Sequence, residues 1–116
     1  MTRGDVVIAN FPFQDVPGAK VRPALVVQNN SDNAALPNTI LAMITGNLAD
    51  AGRATNLLVD PATADGAGSG LSGPSLVKCE NLATVRQFRV IRTIGRFSDV
   101  LMGQVNDCLR AALELP

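Results

Sequence analysis

Six short apolar runs, rich in β-branched residues and none longer than seven residues, constrain this 116-residue chain more than any other feature. Asp5–Phe11 and Arg22–Gln28 flank the segment 14–20, whose Pro17-Gly18 pair is a turn signal. Thr39–Thr45 follows the polar stretch Asn29–Asn38 and ends at Gly46-Asn47, and Asn56–Val59 stops at Asp60-Pro61. Ser75–Lys78 and Arg89–Ile94 complete the set, with Leu82–Phe88 as the connection between them. Runs this short, at this spacing, predict a small antiparallel barrel rather than alternating strands and helices.

The period then changes. Leu101, Val105, Cys108, Leu109 and Ala112 recur at helical spacing and form one face of an amphipathic helix. Ser98 is its N-cap, Asp99 complements its dipole, and Gly103 weakens it by up to about 1 kcal/mol relative to Ala. The expected fold class is therefore mainly β with α (α+β): about six strands in a small barrel, closed on one side by a C-terminal helix. A chain of this length supports one core, so residues 1–116 are read as a single domain.

With 47% hydrophobic and 17% charged residues the chain is too apolar to stay disordered. Aromatics are only 3%, without Trp or Tyr, so Val, Ile, Leu and Ala must fill the core and base stacking can contribute little. Phe11, Phe13, Phe88 and Phe97 are assigned to that core. Thr63–Gly73, made largely of Gly, Ala, Ser and Asp, reads as a mobile surface loop. No apolar run approaches the roughly 20 residues of a membrane-spanning helix, and the N-terminus lacks a signal-peptide core; a cytoplasmic protein is expected.

The formal net charge is zero, but it is unevenly spread. Lys78, Arg86, Arg89, Arg92 and Arg96 stand against Glu80 alone, leaving residues 78–96 at +4 and the flanking segments at −2 each. If Arg86, Arg89 and Arg92 face one groove they would form a basic stripe. In a regular strand, however, Arg89 and Arg92 point to opposite faces. There is no His, which removes the commonest general acid/base and the commonest metal ligand. Cys79 and Cys108 are too few for a disulfide framework and are read as buried free thiols. Gly66-x-Gly68-x-Gly70 has no following Lys or helix, so loop flexibility explains it better than a phosphate cradle.

What remains is Arg22, immediately before Pro23 at the head of an apolar strand, and Thr45 at the end of another. A guanidinium offers a permanently charged fork of donors matched to phosphate, and a hydroxyl beside it can donate or accept. By spacing alone, a strand-end Arg is more often a solvated or salt-bridged edge charge.

Arg3-Gly4-Asp5-Val6-Val7, the strand Val21-Arg22-Pro23-Ala24-Leu25-Val26-Val27-Gln28-Asn29, the strand end Ile44-Thr45 and the closing helix, in that order, resemble the MazF/PemK toxins of bacterial toxin–antitoxin modules. The resemblance implies a Src-homology-3-like β-barrel with helices, a homodimer, and sequence-selective, metal-independent cleavage of single-stranded RNA, with no cofactor. It makes Arg22 and Thr45 the catalytic pair, with Gly4 and Asp5 as framework. Lys20, Ser72, Lys78, Glu80, Arg86 and Arg89 become candidate RNA contacts, with Arg86 and Glu80 candidates to assist proton transfer. The implied inhibitor is a cognate antitoxin laying an acidic segment over the groove. Two alternatives share the fold. One is a CcdB-like gyrase inhibitor, which relies on a Trp-bearing tail where this chain ends Leu113-Glu114-Leu115-Pro116; the other is a cleavage-dead binding module.

Overall fold

The computed structural model describes residues 1–12 and 19–116, with Ala19 and Lys20 as backbone only. The expectations for the loop 14–20, for Phe13 in the core and for the Lys20 side chain lie outside the described residues. The elements are β1 (Asp5–Pro12), β2 (Ala19–Val26), α1 (Asn30–Ala35), β3 (Asn38–Thr45), β4 (Asn56–Val59), β5 (Ser75–Arg86), β6 (Val90–Arg96) and α2 (Asp99–Leu113). A single 3-10 turn, Gln87–Arg89, joins β5 to β6. Six strands form one antiparallel sheet in the order β4-β5-β3-β2-β1-β6.

The central strands are apolar throughout because both faces of the sheet are covered. On one face Val6, Leu25, Ala42, Ile44, Val59, Val77 and Cys79 pack under Leu101, Val105 and Cys108 of α2. On the other, Val7, Ala9, Phe11, Ala24, Val26, Leu41 and Val85 form a second cluster. The predicted helix is present, with Leu101 N–H donating to Ser98 Oγ at 3.2 Å. Phe11 and Phe97 are buried as expected, whereas Phe88 is 81% exposed. It sits on the 3-10 turn, outside either cluster.

Three further features depart from the sequence reading or go beyond it. Leu82–Phe88 is mostly strand: β5 runs on to Arg86, and the apparent break at Glu80-Asn81 is a bulge between the pairs Met43↔Lys78 and Ala42↔Leu82. Beside the bulge the Cys79 N–H faces the β4 side and donates to the Thr55 carbonyl at 3.0 Å. The polar stretch Asn29–Asn38 contains α1, capped by Asn29 Oδ1 accepting from Asp32 N–H at 2.8 Å. Its buried Asn33 is locked by Gln28 and Thr39, whose Nε2 and Oγ1 donate to Asn33 Oδ1 at 3.0 and 2.7 Å.

The third concerns the barrel and the loop after β4. The sheet is not closed by strand pairing, since β4 and β6 are its two edges. The loop 60–74 spans the gap instead. Arg96 N–H donates to the Gly68 carbonyl at 2.9 Å, and Ser69 is fully buried. A Cβ at Gly70 (φ +73°) would overlap the Ile94 carbonyl, and one at Gly95 would overlap the Ser69 backbone. The small residues thus permit backbone-on-backbone packing, and the segment is an ordered wall rather than a loose loop. Gly4 ties the same end together: its N–H donates to Val26 O at 2.8 Å and its carbonyl accepts from Phe97 N–H at 2.9 Å. Among the described residues, no helix is long and apolar enough to cross a membrane.

Candidate active site

Arg22 and Thr45 are 23 residues apart in sequence, and the β2–β3 register brings them together. Ala24 pairs with Met43 on the face of the second cluster. Two residues further along each strand, on the same face, come Arg22 and Thr45. Pro23 ends the ladder just before that point. The Val27 N–H donates to Ile40 on β3 at 3.0 Å, so alternation turns the nitrogens of residues 25 and 23 toward β3 as well. Pro23 has no N–H to give, and the β2–β3 pairing stops at Ala24. On its other side β2 stays paired to β1 as far as Pro12↔Ala19. The strands therefore part where Arg22 and Thr45 stand.

The parted strands border a cavity of about 910 Å³, lined by both Arg22 and Thr45. Ile8 and Met43 supply apolar surface, and the wall from Gly70 to Ser75 brings the Ser72 hydroxyl. A second cation, Arg92, lines it from β6. Because Ala9 pairs with Arg22 and Ile8 with Arg92, the two arginines stand on the strands either side of β1, whose backbones run about 10 Å apart. Both arginines are exposed and Thr45 is half-buried. The Thr45 hydroxyl oxygen accepts the Asn47 N–H at 3.1 Å, which leaves its own proton as a donor. The arrangement suits an oligoanion: two cations and the hydroxyl residues Thr45, Ser72, Ser75 and Thr93 around an open cleft, with no carboxylate among the described lining residues.

The other expected RNA contacts scatter. Ser72 joins the cavity; Lys78, Glu80, Arg86 and Arg89 do not line it. Lys78 is ion-paired instead, with Nζ 2.6 Å from Asp50 Oδ2 and 3.7 Å from Glu80 Oε2. The first of these contacts holds the Asp50 carboxyl below its ordinary range, first through the hydrogen bond and then through the charge of Lys78. Glu80 also accepts from Asn56 Nδ2 at 3.2 Å on each oxygen, so it is not positioned to move a proton at the cavity. Arg86 pairs with Asn38, at the opposite end of β3 from Thr45 and about 24 Å along the strand, too far to assist there. Arg89 belongs to the 3-10 turn. The regular arginine spacing therefore makes no single stripe, and only Arg92 of that trio enters the cavity. The excess charge at 78–96 signalled such a residue, but only the β1–β6 register selects it.

The framework assignment of Gly4 and Asp5 agrees with their contacts: Asp5 pairs with Arg96 at 3.1 Å and accepts the Thr2 N–H at 2.9 Å. Cys79 and Cys108 are buried free thiols in the α2 core. Burial pushes the Cys79 thiol up to about 12 and also raises Cys108.

Residues 2–113 match the family model described as PemK-like, MazF-like toxin of type II toxin–antitoxin system. The chain is 30% identical over 114 residues to endoribonuclease EndoA of Bacillus subtilis, covering 97% of this chain and 94% of that protein. It is 28% identical over 116 residues to endoribonuclease MazF of Staphylococcus saprophyticus, covering 99% and 92%. Among solved structures, the Mycobacterium tuberculosis toxin MazF-mt6 superposes with a TM-score of 0.75 at 27% identity, covering 97% of this chain and 98% of that one. An endoribonuclease from a mycobacterial species in complex with its cognate antitoxin superposes at 0.77 and 22% identity, covering 100% and 97%. Sequence likeness over the whole sheet and its closing helix, joined to the same fold, settles the assignment: this chain belongs to the PemK-like, MazF-like toxins of type II toxin–antitoxin systems.

Proposed function

We propose that this endoribonuclease toxin cleaves single-stranded RNA in the 910 Å³ cavity, sequence-selectively and without a metal, with Arg22 and Thr45 as the catalytic pair. The observation that carries the reading is that these two residues, far apart in sequence, line one cleft beside a second cation, Arg92. The substrate brings its own nucleophile. The 2′-hydroxyl attacks the adjacent phosphorus, the O2′–P bond forms as the P–O5′ bond breaks, and the 2′ proton is lost as the 5′ oxygen gains one. Arg22 neutralises the charge that grows on the phosphoryl oxygens, a role typically worth about 3 kcal/mol. The Thr45 proton, directed outward by the Asn47 bond, donates to one of those oxygens. Arginine is too weak an acid to shuttle protons near neutrality, so solvent in the open cleft carries them.

The active unit is one domain, residues 1–116, acting as a homodimer in the cytoplasm. Dimerisation is supported by the exposed apolar side chains of Val21 and Ile91, on the two strands flanking β1, and of Phe88 on the 3-10 turn that leads into β6. A cognate antitoxin is the inhibitory partner, its acidic segment laid over the cleft; a mycobacterial relative solved in complex with its cognate antitoxin supports the existence of such a partner. The test is to incubate the purified protein with a long single-stranded RNA in EDTA, beside a matched substrate carrying a 2′-deoxy sugar at the cut site. Discrete cleavage of the first and none of the second is expected. RNA that stays intact, or is cut only when a divalent metal is added, overturns the proposal.

A further inference from the structure

A smaller cavity of about 110 Å³ adjoins the first and shares Met43 and Thr45 with it; the rest of its lining is Asn47, Ala49, Asp50 and Lys78. At ~30 Å³ per water this is room for three or four waters, enough for the edge of one planar base and too little for a nucleotide.

Its polar lining is held from behind. The Lys78 ammonium sits 2.6 Å from Asp50 Oδ2, with side-chain exposures of 17% and 42%. Arg53 Nε lies 3.5 Å from the other Asp50 oxygen, and Glu80 is 3.7 Å from the ammonium. Asn47 fastens the loop to the catalytic hydroxyl: its N–H donates to Thr45 Oγ1 at 3.1 Å while its Oδ1 accepts the Ala49 N–H at 3.0 Å. An exposed ion pair alone adds little stability, but this one presents an acceptor beside a donor, in fixed order, next to Thr45. The Watson–Crick edge of every nucleobase sets an N–H donor beside a carbonyl or ring-nitrogen acceptor, and that order is what a fixed acceptor–donor pair can distinguish.

We propose that this side cavity reads one base next to the scissile linkage, with Asp50 accepting from the base N–H and Lys78 donating to the neighbouring oxygen or nitrogen. Asp50 and Lys78 are then specificity-determining residues, a role that rests on the reading of Arg22 and Thr45 as the RNA-cleaving centre. Asp50 stays ionised at neutral pH under the influence of Lys78, so it acts only as an acceptor.

The experiment maps cut ends in a random-sequence RNA for the wild-type protein, Asp50→Asn, Lys78→Met and the charge-swapped double variant Asp50→Lys/Lys78→Asp, each checked for folding by circular dichroism. The wild type should select one base at a fixed distance from the cut. In each single variant that preference should fall about tenfold while selectivity at other positions persists. The swap keeps an ion pair but reverses its order, and it should change which base is preferred. A merely structural ion pair would move neither readout. Unchanged base preferences in folded Asp50→Asn and Lys78→Met overturn the inference alone, even if the swapped variant does not fold. A wild type that cuts without any base preference overturns it together with the sequence selectivity proposed above, while the roles of Arg22 and Thr45 in cleavage stand. If the wild type leaves RNA intact, the catalytic reading fails and this inference falls with it.

Discussion

At the scale of single residues, the site depends on one missing N–H and one fixed hydroxyl. Pro23 withholds the donor that would carry the β2–β3 ladder past Arg22, and Asn47 holds the oxygen of Thr45. Pro23→Ala restores the N–H, so the ladder is expected to extend toward Arg22 and Thr45 and narrow the cleft. Cleavage should fall several-fold without loss of stability, read by kcat/KM beside Tm. Cys79 makes a separate prediction. Its folded thiol titrates near 12, against 9.0 for an ordinary thiol. Stability is therefore complete below about pH 9, where both states are protonated. It declines from there toward pH 12, as the unfolded thiol ionises and the buried one does not. Tm measured across that window should fall in the wild type and fall less in Cys79→Ala.

At the scale of elements, the loop 60–74 shows how composition misleads. Gly, Ala and Ser next to Asp read as flexibility, but the same small residues allow two backbones to touch, and nothing local distinguishes the two uses. Gly95→Ala forces a Cβ into the Ser69 backbone and should cost about 1–3 kcal/mol, measured by urea unfolding. Ser98→Ala, which removes the α2 cap, should cost about 1 kcal/mol in the same assay. The strands and α2 were legible because their apolar periods are strong. The second half of β5 was not, because a bulge puts Glu80 and Asn81 mid-strand and breaks the alternation. Nor was α1, six residues long and held by a buried Asn rather than by an apolar stripe. Within the site, Arg22 and Thr45 were legible through the family resemblance. Arg92 and Lys78 were legible only as members of a broader set of basic RNA-contact candidates; the place of Arg92 in the cavity and the pairing of Lys78 with Asp50 were not, since each depends on a register or a long-range contact that sequence spacing does not encode.

At the scale of the whole molecule, a chain with no net charge gathers two arginines at one cleft while Arg86 and Arg89 lie elsewhere. Log affinity for a non-cleavable oligonucleotide should fall with log salt, and Arg92→Ala should flatten that slope by about 1. Arg86→Ala should leave the slope as it is. The central claim is that Arg22 and Thr45 act on one phosphodiester as a unit, and a double-mutant cycle on kcat/KM tests it most directly. Arg22→Ala and Thr45→Ala should each lower kcat/KM by about 100-fold or more, and the double variant should be scarcely worse than the poorer single one. Near-wild-type cleavage in either folded single variant, or losses that simply multiply in the double, would contradict the account.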